Sequence, residues 1–447
     1  MRVHRGFRRA GTAAIAVILL ALTGCEKEPA ATSARADQVR LYGADGNMLN
    51  SFGDEFTEQP GLLDGMKGTT PLTPLSADFR SRLLAVYPNL GDYLYAGESY
   101  DALVISALAA QLAGTTEPAS IARQINGVTT RGKVCETVTA CLALARSGTD
   151  IEYRGVSLRR AGFTDAGEPS TAMYATLHFD ESDRLDDGKT EFVGAGDESA
   201  ATKRVPPAGR RPNNRNTGAP LKIGGLLPKT GDLALAYPPM AAGAALAIKE
   251  INAAGGVLGK QVQWIDGDDG TNPKTAKETV QAHVAAGVHV IIGAGASSIS
   301  RAVLPDVVKA GLILFSPCNT DAGLSTIQDQ GLYFRTAPSD VLQGRALADV
   351  IMRDGPEKIA LVARNDSYGQ GLQRNVRTEL ERAGIPTERI KLLSYEPPPD
   401  SGGAPVSFSD GAQTIKDFGA DAVVVIGFGE SAGVIKALQK AGVAIQH

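Results

Sequence analysis

The sequence predicts an α/β fold of two doubly wound, mostly parallel sheets, forming two lobes joined by a hinge, with the chain halves in circularly permuted order. Three observations lead there. From Leu221 onward, strands and helices alternate, which implies parallel sheets with helices on both faces. The rhythm restarts after Thr336–Asp340, so the alternation divides into two lobes. The region from Val39 to about Val205 holds more helices than its few strands can use, while the C-terminal run ends just after a helix, where a parallel sheet calls for another strand. VRLYGADG at Val39 is expected to be that strand, and LKIGGLLPKTGDLALAY at Leu221 reads as a first strand and first loop that nearly half the chain precedes.

The elements follow in order. LKIGGLL reads as a strand and MAAGAALAIKEINAAGG as a helix closed by glycine. QVQWIDGDD is a strand, and NPKTAKETVQAHVAAG a helix opened by Asn-Pro. VHVIIGAG is a short apolar run, the pattern of a strand buried on both faces. SSISRAVLPDVVKAG is a helix and LILFSPC a strand. The second run repeats the pattern: VLQGRALADVIMRDG, KIALVARND, YGQGLQRNVRTELERAG and RIKLLSYE, ending in AVVVIGFG and ESAGVIKALQKAG. In the N-terminal part, VRLYGADG and MKGTTPL are short strands, SADFRSRLLAVYP, ESYDALVISALAAQLAG and ASIARQING are helices, and TAMYATLHFD is a strand. Residues 206–219, PPAGRRPNNRNTGA, form a linker by composition between segments 38–205 and 220–447.

Composition narrows the function. Of 447 residues, 43% are hydrophobic and 21% charged, so a sizeable core is available. The formal charge is −4 with no basic stripe, which argues against nucleic acid as a partner. Residues 1–24 read as a signal peptide: MRVHRGFRR is a basic start, and GTAAIAVILLAL is an apolar run too short for a comfortable span. Glu26 to Asp37 follow as a polar tether. Cys135 and Cys141 lie in one short segment and are expected to be oxidised to each other outside the cytoplasm.

The quoted segments together carry a resemblance. LKIGGLLPKTGDLALAYPPMAAGAALAIKEINAAGG, VIIGAGASSISRAVLP, LFSPCNTDAGLS, FRTAPSDVLQGRALAD and NDSYGQGL occur in the order seen in the branched-chain amino-acid-binding lipoproteins of ABC importers, which have the type I periplasmic binding protein fold. The family's later segments resemble LYGADGN (Leu41–Asn47), the ESYDAL helix (Glu98–Leu103) and a final strand pair over Gly162–His178, here placed early in the chain. Leu22-Thr23-Gly24-Cys25 is similar to a bacterial lipobox, which implies a lipid on Cys25 and attachment at the outer face of the cytoplasmic membrane or in the periplasm. The resemblance implies that Ser297 and Thr320 bond a ligand carboxylate, that Cys318 offers its backbone, and that Asp45 meets an ammonium. It also implies that Tyr237, Tyr368, Tyr100 and Phe428 line the cleft from both lobes, which closes by hinge motion. The alternative use of Ser297 and Thr320 is helix capping, and that of Asp45 is an Asp-Gly turn.

The implied function is non-catalytic capture of an amino acid with an apolar side chain and its delivery to an ABC permease, with no cofactor and no metal. A sensor of the same fold for an amide, urea or aromatic acid is the alternative. Gly429-Glu430-Ser431-Ala432-Gly433 fits an esterase elbow, but no acid follows Ser431 and only the terminal His447 does. Gly293-Ala294-Gly295 lacks the third glycine of a dinucleotide loop, Ser298 standing in its place. Asp266-Gly267-Asp268-Asp269 resembles a calcium loop but carries Thr271 where the turn glycine belongs, and is expected to be a solvated turn. His283 and His289 are expected at the surface or in packing.

Overall fold

The computed structural model describes residues 38–160, 162–208, 219–398 and 406–446. The expected signal segment 1–24, Cys25, the tether to residue 37 and most of the 206–219 linker lie outside the described residues. The N-terminal part contains β1 (Gln38–Gly43), β2 (Lys67–Pro71), α1 (Ala77–Leu84), α2 (Ala96–Ala113), α3 (Pro118–Val128), β3 (Lys133–Cys135), α4 (Val138–Arg146), β4 (Ile151–Tyr153), β5 (Thr171–His178) and β6 (Glu191–Gly196). After residue 219 come β7 (Lys222–Leu226), α5 (Tyr237–Ala253), β8 (Gln263–Ile265), α6 (Pro273–Ala285), β9 (Val290–Gly293), α7 (Ser297–Lys309), β10 (Ile313–Ser316) and β11 (Tyr333–Arg335). The last run is α8 (Asp340–Arg353), β12 (Ile359–Arg364), α9 (Ser367–Arg382), β13 (Ile390–Tyr395), α10 (Ser409–Phe418), β14 (Ala422–Ile426), α11 (Ala432–Lys440) and β15 (Ala444–Ile445).

Among the described residues, two large sheets organise the molecule. The smaller has the order β11-β10-β9-β7-β8, all parallel. Its central strands are buried at every residue, as apolar runs such as VIIG and ILFS require. The larger runs β13-β12-β14-β1-β2-β5-β6, with β15 also on β1. Strand β1 pairs in parallel with β14, β15 and β2, so the first described strand sits inside a sheet built mainly from the last part of the chain. Strands β5 and β6 add an antiparallel margin.

The α-helices of the N-terminal part, α1 to α4, all pack in the lobe of the smaller sheet. Helix α2 is buried along its whole length against α5 and α3, with Asp101 held by Tyr153 and the Ser157 N–H. Gly243 on α5 permits this, since a Cβ there would lie 2.1 Å from the Ala96 carbonyl oxygen. The disulfide joins Cys135 at the end of β3 to Cys141 in α4. The expected strand pair over Gly162–His178 needs correction: only β5 is a strand in that span, and its hairpin partner is β6. Strand β6 escapes a sequence pattern because its side chains, Phe192 and Val193 included, face solvent at the sheet margin and impose no alternation.

Among the described residues, four segments cross between the lobes: 72–76, 154–170, 197–207 and 336–339. Arg335, fully buried, ends β11 just before segment 336–339 and bonds to segment 154–170. Its Nε donates to Glu168 Oε2 at 2.9 Å, and its Nη1 donates to the carbonyls of Asn319 (3.2 Å) and Asp321 (2.9 Å). A buried guanidinium is tolerated because every edge has a partner.

Candidate functional site

Where the carboxyl ends of both sheets face each other, a tight crevice, with a cavity of only about 10 Å³, is lined by Asp45, Gly46, Leu94, Tyr95, Leu233, residues 295–297, Cys318, Thr320, Tyr368 and Phe428. This is the crevice in which doubly wound sheets hold ligands. Larger clefts lie beside α3 and beside residues 86–92. Their carboxylates are exposed or half-buried, so they lack the electrostatic strength of a desolvated site.

The lobe of the smaller sheet supplies one wall. Ser297 is the first residue of α7, which has no side-chain cap, so its first N–H groups stay available. The Ser297 hydroxyl accepts from the Asp321 N–H at 3.3 Å. Thr320 follows β10, and its Oγ1 is buried without a hydrogen-bond partner. Neither hydroxyl caps its own helix. Cys318 is buried beside them; burial pushes its thiol well up, and the charges of Asp45, Asp269 and Glu98 add to this. Asp269 supports the wall from behind, accepting from the Gly295 N–H at 2.7 Å.

The lobe of the larger sheet supplies the other wall. Asp45 sits in the turn after β1, 4% exposed. Its carboxylate accepts from the hydroxyls of Tyr95 (2.7 Å) and Tyr368 (2.8 Å) and from Gln343 Nε2 (2.9 Å). Burial raises its pKa, and these three bonds oppose the rise. Tyr368 and Phe428 stack at 5.3 Å with an interplanar angle of 15°. Behind them Asp340, at the start of α8, is fully buried with both carboxylate oxygens unpartnered. Burial drives its pKa well up, and the Asp45 charge adds to this. Thr320 lies close enough to oppose the rise, though without a hydrogen bond of normal geometry.

Six of the eight expected ligand residues therefore converge: Asp45, Ser297, Cys318, Thr320, Tyr368 and Phe428. Tyr100 and Tyr237 do not, and that expectation is corrected. Tyr100 lies on the face of α2 turned to α1 and α5, with its hydroxyl donated to Glu250 and its ring edge-on to Phe79. Tyr237 opens α5 with Lys229 Nζ 5.9 Å from its ring, outside the cavity. Sequence reasoning missed Tyr95, which precedes α2 with φ of 60° and turns its hydroxyl onto Asp45. It also missed Asp340 and Gln343, spaced i, i+3 on α8 and both buried.

The remaining motifs resolve into structure. Ser431 is fully buried, donates to the Phe428 carbonyl at 2.7 Å and accepts from Asn47 Nδ2 at 3.2 Å, so it is a turn hydroxyl rather than a nucleophile. The loop at Asp266–Asp269 is not wholly solvated, because Asp269 is turned inward and its pKa is raised by burial to about 7. His283 packs in the core with Nε2 at 2.7 Å from the Gly225 carbonyl.

The model of a family described as periplasmic binding protein matches residues 220–446, half of the chain. A leucine-, isoleucine-, valine-, threonine- and alanine-binding protein of Pseudomonas aeruginosa is 32% identical over 166 residues, which is 37% of this chain and 44% of that protein. A leucine-specific-binding protein of Salmonella typhimurium is 33% identical over 141 residues, 31% of this chain and 38% of that protein. The chain thus spans about two-fifths of the length of these curated relatives. Among solved structures, a branched-chain amino acid transporter substrate-binding protein from Streptococcus pneumoniae, in complex with isoleucine, is 26% identical. The match covers 51% of this chain and 63% of that one, with a TM-score of 0.42.

Proposed function

Because the chain belongs to the periplasmic binding protein family, we propose that it captures an amino acid with an apolar side chain by closing its two lobes and delivers it to an ABC permease. The family binds solutes and does not catalyse, and the burial of Ser431 agrees with that. One observation carries the ligand class. The cavity sets hydroxyls and free helix-start N–H groups on one wall against a buried acid on the other, with Leu94, Leu233 and Phe428 between.

A zwitterion fits such a pair of walls. Its carboxylate meets Ser297, Thr320 and the start of α7, where N–H groups and the helix dipole favour an anion. Its ammonium meets Asp45, with Asp340 behind it, and ionising a buried acid beside a cation offsets its desolvation. The side chain lies against the apolar surfaces. The ligands named for the relatives, with leucine, isoleucine and valine foremost, support that choice.

We also read the chain order as permuted relative to the family. The Gln446 N–H donates to the Val39 carbonyl at 2.9 Å, and β1 completes the sheet that β14 and β15 begin. Segment 38–205 is then the family's C-terminal half and 220–447 its N-terminal half, with 206–219 as the new join. With residues 1–24 as a signal, a lipid on Cys25 and the tether to residue 37 would hold the protein at the outer face of the cytoplasmic membrane or in the periplasm.

A thermal-shift screen of the purified chain with an amino-acid panel tests the reading, since bound ligand raises Tm by mass action. Leucine, isoleucine or valine should raise Tm, and Asp45→Ala should abolish the rise. A rise with amides, urea or aromatic acids and none with amino acids would sink it.

A further inference from the structure

We infer that Arg364 is a positioning residue of the cleft and that, with Asp232 of the opposite lobe, it forms a clasp across the cleft rim that favours the closed lobes. Arg364 ends β12 in the lobe of the larger sheet and is 5% exposed. Its Nη1 donates to Asp232 Oδ2 at 2.8 Å and lies 2.8 Å from Glu430 Oε1. Its Nε donates to Asp366 Oδ2 at 2.9 Å. Asp366 and Glu430 belong to the same lobe as Arg364. Asp232 does not: it lies in the loop between β7 and α5. A single guanidinium, with its fixed fork of donors, therefore spans the cleft rim.

Two further bonds cross at the same place. The Gly429 N–H donates to the Asp232 carbonyl at 3.1 Å, and Ser298 Oγ donates to Asp366 Oδ2 at 3.3 Å. On another part of the rim, Asp92 of the smaller-sheet lobe accepts from the N–H groups of Asn50 (2.6 Å) and Ser51 (3.2 Å). These open a 3-10 helix whose own N-cap, Leu49, supplies no side-chain bond. Opening the lobes thus strips a partner from Arg364 and from that helix start together.

The clasp reaches the cavity wall through rings. The Arg364 guanidinium lies 4.7 Å from the centre of Phe428, Phe428 stacks on Tyr368, and Tyr368 donates to Asp45. A cation over an aromatic face in a desolvated place is a favourable contact. Arg364 therefore fixes the orientation of the two rings that flank Asp45, and does so best when Asp232 holds its far side.

Asp232→Asn tests this without stranding a buried cation, because Asp366 and Glu430 still pair Arg364. Small-angle scattering of the ligand-free chain should show a larger radius of gyration for Asp232→Asn than for wild type, with melting still cooperative. Asp232→Glu, which keeps the charge, should return it toward wild type. The part of the inference that concerns ligand retention rests on the binding reading above. In stopped-flow exchange with L-leucine, Asp232→Asn and Arg364→Lys should each raise the dissociation rate about tenfold while association changes little. An unchanged radius, or a wild-type chain already open, overturns the clasp. Expansion that Glu does not reverse, with cooperativity lost, marks a merely structural role and also overturns it. A larger radius with unchanged dissociation refutes the positioning role. If wild type ignores L-leucine but Asp232→Asn still expands, the clasp stands and the amino-acid reading falls.

Discussion

The two walls of the cleft differ in kind. The wall of the smaller-sheet lobe is made of the hydroxyls of Ser297 and Thr320 and the start of α7, and one nearby acid, Asp269, is turned away to hold the Gly295 N–H. The wall of the larger-sheet lobe is acidic and aromatic, made of Asp45, Tyr368 and Phe428 with Asp340 behind. Tyr95 is the exception, a residue of the smaller-sheet side whose hydroxyl reaches across to Asp45. The difference teaches that orientation is written into the fold before any ligand enters. A molecule with opposite charges at its head has one favourable way to lie between these walls, and a molecule of single charge meets one matching wall only.

Removing the charge of the acidic wall should break the asymmetry most. Asp45→Asn keeps the shape but leaves an ammonium without its counter-ion, so the Kd for L-leucine by calorimetry should rise about a hundredfold. An unchanged Kd would move the ammonium elsewhere. The hydroxyl wall should matter less: Ser297→Ala loses one hydrogen bond to a carboxylate and should raise Kd about tenfold. A loss equal to that of Asp45→Asn would mean the walls are not distinct in strength.

Protonation sharpens the same contrast. Burial raises the pKa of both Asp45 and Asp340, so the ligand-free site favours their protonated forms relative to free carboxylates. An ammonium favours the ionised forms, so binding should release protons. Affinity should therefore increase with pH until both acids are ionised in the free protein. Calorimetry in buffers of different ionisation enthalpy measures the release, and no release at any pH would detach the ammonium from these acids. The smallest effect belongs outside the cavity. Tyr100→Phe removes only the bond to Glu250, which should lower stability by about 1 kcal/mol and leave Kd unmoved.

Much of the fold was legible because buried parallel strands cannot hide. VIIG, ILFS and AVVVI are apolar at nearly every position, and short polar joins separate them from amphipathic helices. Ser297 and Thr320 were expected at the site from the family resemblance, since their places just past buried strands would by themselves fit helix capping as well. Strand β6 was not, because an exposed margin imposes no pattern. Asp340 and Tyr95 were masked by a more ordinary role: an acid or an aromatic beside a helix start usually serves the helix. Asp269 was masked by its neighbours, three residues of a polar loop that do face outward in part. Tyr100 failed in the opposite sense, because position along α2 was readable but the face it turns depends on α1 and α5 packing against it.

Strand β1 has one more consequence. It lies in the interior of its sheet, with β14 on one side and β2 and β15 on the other. A pull transmitted through the residues before Gln38, along the strand axis, would meet the ladders on both sides as shear rather than peeling an edge one bond at a time. A grip at the start of β1 would therefore load the larger sheet in shear, with the tension borne by its ladders on both sides.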